Sequence, residues 1–462
     1  MSAKLSASRR AALHTLQVAR ERSAYVRDLL SSRQGRAGTQ ELSEEDRAFA
    51  ARLALGVTAT AGTLDEAIDA HLAPKAKLTP DVRDALRIAA FELLYLRKEP
   101  HAAVSQGVEL VKTRAKSATG LANAVLRRVA EGADAFLTAS PAHAFGLPTW
   151  LWERVEGDLG AERATELGTA GLEQAPTYVA NVPMHVADRN VETVFPTAGL
   201  RVRPAGAVPG SWLAADARAV ATSPLLDGAE IKAVVADYGA QVVACLAAPE
   251  PGERALEVGS GRGTKTILMA GHTHRRGGLA RVWALDVHAN KGELAAQRLA
   301  KARVEGVAQV CGDARELGSL ASLPPHFDRV FVDAPCTGTG TLRRHPEIAW
   351  GLSAEDVSSC ARLQGEILAS CAARVAPGGM LTYATCSVLR EENEDVVAAF
   401  LASEAGRGFE VVPVAEVACA ARLPELADEL EDGHQTSEGY LRTYPTPKGS
   451  DGHFCAVLRR LL

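Results

Sequence analysis

From residue 236 onward the sequence keeps one rhythm. Short apolar runs, "RALEVG", "RVWALD", "AQVCGD", "RVFVDA" and "GMLTYAT", each close on or beside Gly, Asp or Thr, and helical stretches separate most of them. Strands alternating with helices predict an α/β domain over 236–462, with a doubly wound, mainly parallel sheet and ligand loops at the C-terminal strand ends. A charge-, glycine- and proline-rich stretch over 423–452 predicts an irregular excursion before a last strand, "FCAVL".

The N-terminal part follows another period. Val82, Leu86, Ala89, Ala90, Leu93 and Leu94 fall on one helical stripe, and Thr79-Pro80-Asp81 is a helix-start sequence. Val104, Val108 and Val111 make a second stripe, and Leu121, Val125 and Leu126 a third. Residues 1–140 are therefore expected to form an all-α bundle. "LTASPAHAFGLP" over 137–148 has a linker's composition, and 149–235 is expected to be a small α/β segment, with "TYVANVPMHV" and "LRVRPAG" as strands.

Composition sets outer limits. The chain has 462 residues, 47% apolar and 23% charged, which suits a soluble protein of two or three domains. No apolar run is long enough to span a membrane. The first 23 residues carry arginines within their apolar part and read as a first helix, not a leader. The eight cysteines include no CxxC pair, so neither a metal site nor a disulfide framework is expected, and a reducing, cytoplasmic setting fits. Residues 1–150 carry 21 Lys and Arg against 16 Asp and Glu, while the remainder carries 30 against 40. A mildly basic first third is compatible with nucleic acid, and equally with a solvated helical surface.

The chemistry concentrates in three loops. "LEVGSGRGTKT" places glycines at 259, 261 and 263 between a strand and a helix, where a ligand can approach the backbone. Thr264 at the sixth position breaks the dinucleotide fingerprint. A GxGxG run after an acid is similar instead to the first motif of S-adenosylmethionine-dependent methyltransferases, which makes Gly259, Ser260, Gly261, Arg262, Gly263, Thr264 and Lys265 candidate cofactor residues. Asp286, 23 residues beyond Gly263, ends the next strand where an acid can accept ribose hydroxyls, and Asp313 ends the third strand beside the expected adenine. Either aspartate could instead cap the following helix.

The other two loops, "DAPCTGTG" and "YATCS", each carry a cysteine after a strand: Cys336 and Cys386. Each alone could be a buried small hydrophobe. Together they suit methylation at cytosine C5, a poor nucleophile. A thiolate adding to C6 makes C5 enamine-like, and a second thiol can help expel the first afterwards.

"PGERALEVGSGRGTKT", "DAPCTGTGTLRRHPEIAW" and "YATCSVLREENEDVV" resemble the Sun (Fmu) family of RNA cytosine-C5 methyltransferases. "EEDRAFAARLALGV", "LRIAAFELLYL" and "LANAVLRRV" resemble the NusB-like RNA-binding domain fused to the bacterial 16S rRNA methyltransferase B (RsmB) type. The resemblance implies a Rossmann-like class I methyltransferase domain behind a NusB-like bundle, S-adenosylmethionine as methyl donor and a 16S rRNA cytosine as substrate. It implies Cys386 as nucleophile, Cys336 as release residue, Asp333 on the target base (and beside the cofactor), and Lys265 near both. Arg343, Arg344 and His345 follow the cysteine loop and could meet RNA phosphates, or form a solvated basic turn. The loop 259–266 departs from the family's CAAPGGKT in Arg262 and Thr264, and His453 stands where DGFF is usual. The same chemistry on tRNA or another rRNA site, and a non-catalytic RNA-binding assembly factor, are the competing expectations. A monomer without metal is the default.

Overall fold

The computed structural model describes residues 5–31, 42–74 and 76–462, and the first four residues of the expected N-terminal helix lie outside them. The chain forms two compact units: Met1–Gln174 with Leu342–Leu352, and Ala175–Thr341 with Ser353–Leu462.

The first unit is helical because its apolar positions recur at helical spacing between strong start signals. Ser6 accepts from the Arg9 N–H at the head of helix Ala7–Arg22, Ser43 caps Glu44–Ala59, and Thr79 with Pro80 opens Pro80–Leu94. That last helix is central, with Val82, Ala85, Leu86, Ile88, Ala89, Ala90, Leu93 and Leu94 all buried. Its one fully buried acid, Glu92, is met by the Arg9 guanidinium at 2.8 and 2.5 Å. Helices Pro100–Lys112 and Thr119–Thr138 complete the core around it.

The stretch 137–148 is no linker. It holds a helix, Pro141–Phe145, whose His143 ring stacks on Phe136 at 4.4 Å and whose backbone accepts from the Tyr95 hydroxyl. Helices Thr149–Leu159 and Ala161–Gly171 also cluster with this unit, so the chain leaves it after Gln174. Turn-rich composition marked a break there, but Pro at a first helical position and Gly146 at a left-handed C-cap serve a short packed helix equally well.

The second unit holds two sheets. Strands β1 (Tyr178–Asn181), β2 (Val202–Pro204), β3 (Ser211–Ala214) and β4 (Ala233–Val235) form a small antiparallel sheet in the order β2-β3-β1-β4. The large sheet contains β5 (Arg254–Val258), β6 (Arg281–Asp286), β7 (Val307–Cys311), β8 (Phe327–Asp333), β9 (Val375–Thr385), β10 (Phe409–Val412), β11 (Leu441–Thr443) and β12 (His453–Arg460). Its order is β10-β12-β9-β8-β5-β6-β7, with β11 paired to β12. The five strands from β7 to β9 are parallel, and β12 turns the far edge antiparallel.

Alternate side chains along the strands serve opposite faces. Phe331, Cys455 and Val457 join Val242, Ile267 and Leu299 on one side. Val330, Val332, Phe454 and Leu458 join Leu368, Val397 and Phe400 on the other. Two covered faces explain why these strands read as unbroken apolar runs. The chain reverses its order beside β5, so the C-terminal ends of β5, β6 and β8 open onto a topological switch point. The stretch 423–452 is more ordered than its composition suggests, with helix Pro424–Gly433 and strand β11 inside it. Among the described residues no helix is long and apolar enough to cross a membrane.

Candidate active site

Four strands deliver the site. After β5 the chain turns through Gly259, Gly261 and Gly263, all at positive φ, into helix Thr264–Arg275. A Cβ on Gly259 would lie 2.3 Å from the Asp333 carbonyl oxygen, so the turn can sit against the end of β8 only with glycine there. Gly261 faces open space, with nothing nearer than 3.9 Å to a Cβ at that position. Asp286, at the end of β6, accepts from the Gly261 N–H at 3.0 Å through one oxygen and from the His288 N–H at 2.8 Å through the other. Beside the loop, Ser260 Oγ and Glu257 Oε1 are buried without a hydrogen-bond partner. Buried polar atoms are normally satisfied, so two orphans flanking an open glycine turn fit a polar ligand seated there.

Glu257 was not singled out from sequence. It is 1% exposed inside an apolar strand, and Thr266 Oγ1 donates to its Oε2 at 2.6 Å. Burial pushes its pKa up to about 7, with Asp333 adding to the rise while the Thr266 hydroxyl and Lys265 oppose it.

The two cysteine loops meet. Cys336 Sγ and Cys386 Sγ lie 3.4 Å apart, although 50 residues separate them in sequence. Backbone bonds hold the loops together: the Gly340 N–H donates to the Cys386 carbonyl and the Gly452 N–H to the Gly340 carbonyl, both at 2.9 Å. Thr339 Oγ1 pairs with Ser387 Oγ at 2.9 Å and accepts from the Val388 N–H at 3.1 Å. Asn393 accepts from Thr385 Oγ1 and donates to the Ser387 carbonyl.

Charge separates the two thiols. The neighbouring Cys336 thiol, donating to Cys386, draws the Cys386 pKa below the ordinary thiol value; burial opposes this and the Lys265 ammonium assists it. The same contact, with burial and the charges of Cys386 and Glu392, holds Cys336 well above that value. Lys265 Nζ donates to Asp333 Oδ2 at 2.7 Å. Burial alone would lower the lysine, but Asp333 and then Cys386 outweigh it, and the ammonium persists. The arrangement is therefore one thiol inclined toward the thiolate, one held toward its neutral form and a lysine–aspartate pair, beside a polar glycine turn.

Cys386, Cys336, Asp333, Lys265, Asp286 and the turn from Gly259 through Thr264 thus come together. Asp313 behaves differently. Its carboxylate caps helix Ala314–Ser319 through the Arg315 N–H and pairs with the Arg315 guanidinium at 2.6 Å, which holds its pKa low. Arg262 is exposed, and its carbonyl accepts from Arg298 at 2.6 Å. Arg343, Arg344 and His345 belong to the helical unit. Arg343 is only 6% exposed, the Arg27 guanidinium donates to the carbonyls of Arg343 and Arg344, and the His345 ring meets Tyr25 edge-on at 5.5 Å.

Glu392 was also missed. It lies in the quoted "LREENEDVV", six residues after Cys386, where one acid among several looks like surface. It is fully buried and binds Thr337, the neighbour of Cys336, through both its carboxylate oxygens.

Comparison with known proteins identifies the family. The family model for 16S rRNA methyltransferase RsmB/F matches residues 244–459, and that for the NusB family matches 6–131. Ribosomal RNA small subunit methyltransferase B of Thermus thermophilus is 32% identical over 420 residues, 90% of this chain and 90% of the relative. A Mycobacterium tuberculosis protein, provisionally named as a methyltransferase, is 32% identical over 99% of this chain and 97% of its own length. The crystal structure of PH0851 has a TM-score of 0.73 at 20% identity, covering 100% of each chain, a likeness of fold.

Proposed function

This chain belongs to the 16S rRNA methyltransferase RsmB/F family, and on that premise we propose that it methylates C5 of a cytosine in 16S rRNA through a covalent bond from Cys386 to C6. The observation that carries the reading is the pair of sulfurs 3.4 Å apart beside the Lys265–Asp333 pair. Of the two thiols, Cys386 is the one whose surroundings favour the thiolate, the form that attacks.

Addition of Cys386 Sγ to C6 pushes the ring electrons toward N3 and the C2 carbonyl. In this reading Asp333, at the end of β8, accepts from the exocyclic amine of the base, and the Lys265 ammonium paired with it is the positive charge that steadies the electrons gained by the ring. C5 then has enamine character. S-adenosylmethionine, the family's donor, supplies the electrophilic methyl group when bound. Gly261, Asp286, Ser260 and Glu257 are the residues we assign to holding it, because they present an open turn, an acid and unsatisfied polar atoms together. Loss of the C5 proton to water restores the C5–C6 double bond, and the C6–Sγ bond breaks with its electron pair returning to Cys386. Cys336 S–H, 3.4 Å away, stabilises the departing thiolate. C5 and C6 are shielded in a stacked helix, so the target cytosine is unpaired or flipped out.

Replacing each cysteine tests this. Cys386→Ala should abolish methyl transfer and form no adduct. Cys336→Ala should transfer a methyl group and then accumulate a covalent protein–RNA species that survives denaturing gels. The adduct appearing with Cys386→Ala instead would reverse the assignment. Mapping 5-methylcytosine in rRNA from cells with and without the gene identifies the nucleotide, and an unchanged 16S profile would refute the substrate.

A further inference from the structure

Glu392 has an unusual setting. It is fully buried, and among the described residues it forms no ion pair. Its Oε1 accepts from the Thr337 N–H at 2.8 Å and from Gln364 Nε2 at 3.0 Å, and its Oε2 accepts from the Thr337 hydroxyl at 2.5 Å. Gln364 Nε2 also donates to the Pro335 carbonyl at 2.8 Å. Both neighbours of Cys336 are therefore tied, directly or through one amide, to a single carboxylate. The Glu392 backbone is fixed in turn, because its carbonyl accepts from the buried Tyr383 hydroxyl at 2.6 Å. A buried carboxylate without a cation is costly, and three donors converging on it compensate only when all are in place.

We infer that Glu392 is a positioning residue for the release half of the reaction: through Thr337, and through Gln364 to Pro335, it fixes the Cys336 sulfur where it can act on the bond between Cys386 and the base. This rests on the proposed covalent mechanism. Two features place the residue on Cys336 rather than on Cys386. Its side-chain hydrogen bonds go to Thr337 directly and reach Pro335 through Gln364, on either side of Cys336, whereas the chain around Cys386 takes its closer side-chain bonds from Thr339 and Asn393, with Thr337 Oγ1 only 3.5 Å from Ser387 Oγ. Its negative charge also opposes ionisation of Cys336, in keeping with the raised pKa of that thiol. A Cys336 that keeps its proton can donate it to a departing sulfur; one that has lost it cannot.

The test uses the full-length chain with Glu392→Gln, which keeps the shape but sets an amide where a carboxylate accepted from Thr337. Methyl transfer in a single turnover and the lifetime of the denaturant-resistant adduct are measured side by side with RNA and S-adenosylmethionine. The adduct should live about tenfold longer, the scale of a weakened hydrogen bond to a charged group, while methyl transfer changes by less. Combining Glu392→Gln with Cys336→Ala should trap no more adduct than Cys336→Ala alone, because both act on one step. A merely structural role would lower methyl transfer and adduct formation together and would add to the Cys336→Ala defect; that pattern overturns the inference. If Glu392→Gln does not fold, Thr337→Val, which removes the hydroxyl's bond to Glu392 and its longer contact with Ser387 while keeping the backbone bond, should still lengthen the adduct lifetime, and an unchanged lifetime there refutes the role. Failure of Cys336→Ala itself to trap an adduct would sink the cysteine assignment; success there with no effect of Glu392→Gln and Thr337→Val would sink this inference alone.

Discussion

Two sulfurs 3.4 Å apart cannot both ionise without strong repulsion, so one proton is shared unequally between Cys336 and Cys386. Lys265 helps decide the split. Its ammonium favours the thiolate of Cys386, and replacing it with Met removes that charge and leaves Asp333 without its partner. The thiolate fraction rises with pH through the pKa, and that pKa now lies below the ordinary thiol value. Lys265→Met should therefore shift the pH dependence of Cys386 alkylation by iodoacetamide upward, with the rate at pH 7 falling on the order of tenfold. Peptide mapping of the alkylated sulfur checks it, and an unmoved profile would remove Lys265 from the account. The two cysteines, Lys265 and Asp333 were legible in the sequence because each belongs to a quoted motif of fixed spacing. Glu257 and Glu392 were not, because burial makes their chemistry, and burial of one acid does not show in a single chain.

At the scale of elements, the site depends on loops that touch through backbone. A Cβ at Gly340 would stand 2.2 Å from the Gly452 carbonyl oxygen and 2.7 Å from that of Cys386. Backbone atoms cannot swing aside, so Gly340→Ala must spread the two cysteine loops. Misplacement by about 1 Å costs on the order of a hundredfold in rate. Single-turnover methyl transfer should fall by that order while circular dichroism stays native; a loss under threefold would mean the loops tolerate the spread. Strand β5 carries a second consequence. Glu257 has a folded pKa of about 7, above its unfolded value, so its contribution to stability is fully present at low pH. That contribution is lost as pH rises from the unfolded pKa through about 7, because the unfolded chain ionises first. Glu257→Gln, which cannot ionise, should gain on the parent chain by about 3 kcal/mol between pH 4 and pH 8. Urea melts at both pH values measure the difference, and a gap independent of pH would show that Glu257 does not titrate there. Alternation of apolar runs and helices gave away β5 to β9, and "TYVANVPMHV" and "LRVRPAG" marked β1 and β2, whereas β3, β4 and the order within 423–452 escaped notice. Strands of three or four residues carry too few side chains to show a period.

For the whole molecule, the motifs that carry the chemistry in sequence do not follow the limits of the compact units. The quoted motif "DAPCTGTGTLRRHPEIAW" reads as one piece, yet its second half, Leu342–Leu352, is built into the helical unit. No period in the sequence records this, because the contacts that decide it join residues about 290 to 320 positions apart. Trp350 Nε1 donates to the Ala59 carbonyl at 2.8 Å, Glu347 accepts from the Val26 N–H at 2.8 Å, and Arg27 caps the carbonyls of Arg343 and Arg344. The Trp350 ring lies against Gly62, where a Cβ would come within 2.0 Å of it. Gly62→Ala should therefore dislodge the ring, and overpacking of this kind costs about 1–3 kcal/mol. The expected result is a lower thermal midpoint together with faster tryptic cleavage after Arg343 and Arg344, since a segment that loses its anchor becomes open to protease. Lowered stability with these two bonds still protected would mean that the segment is held by its remaining contacts to Val26 and Arg27, and that Trp350 only fills space.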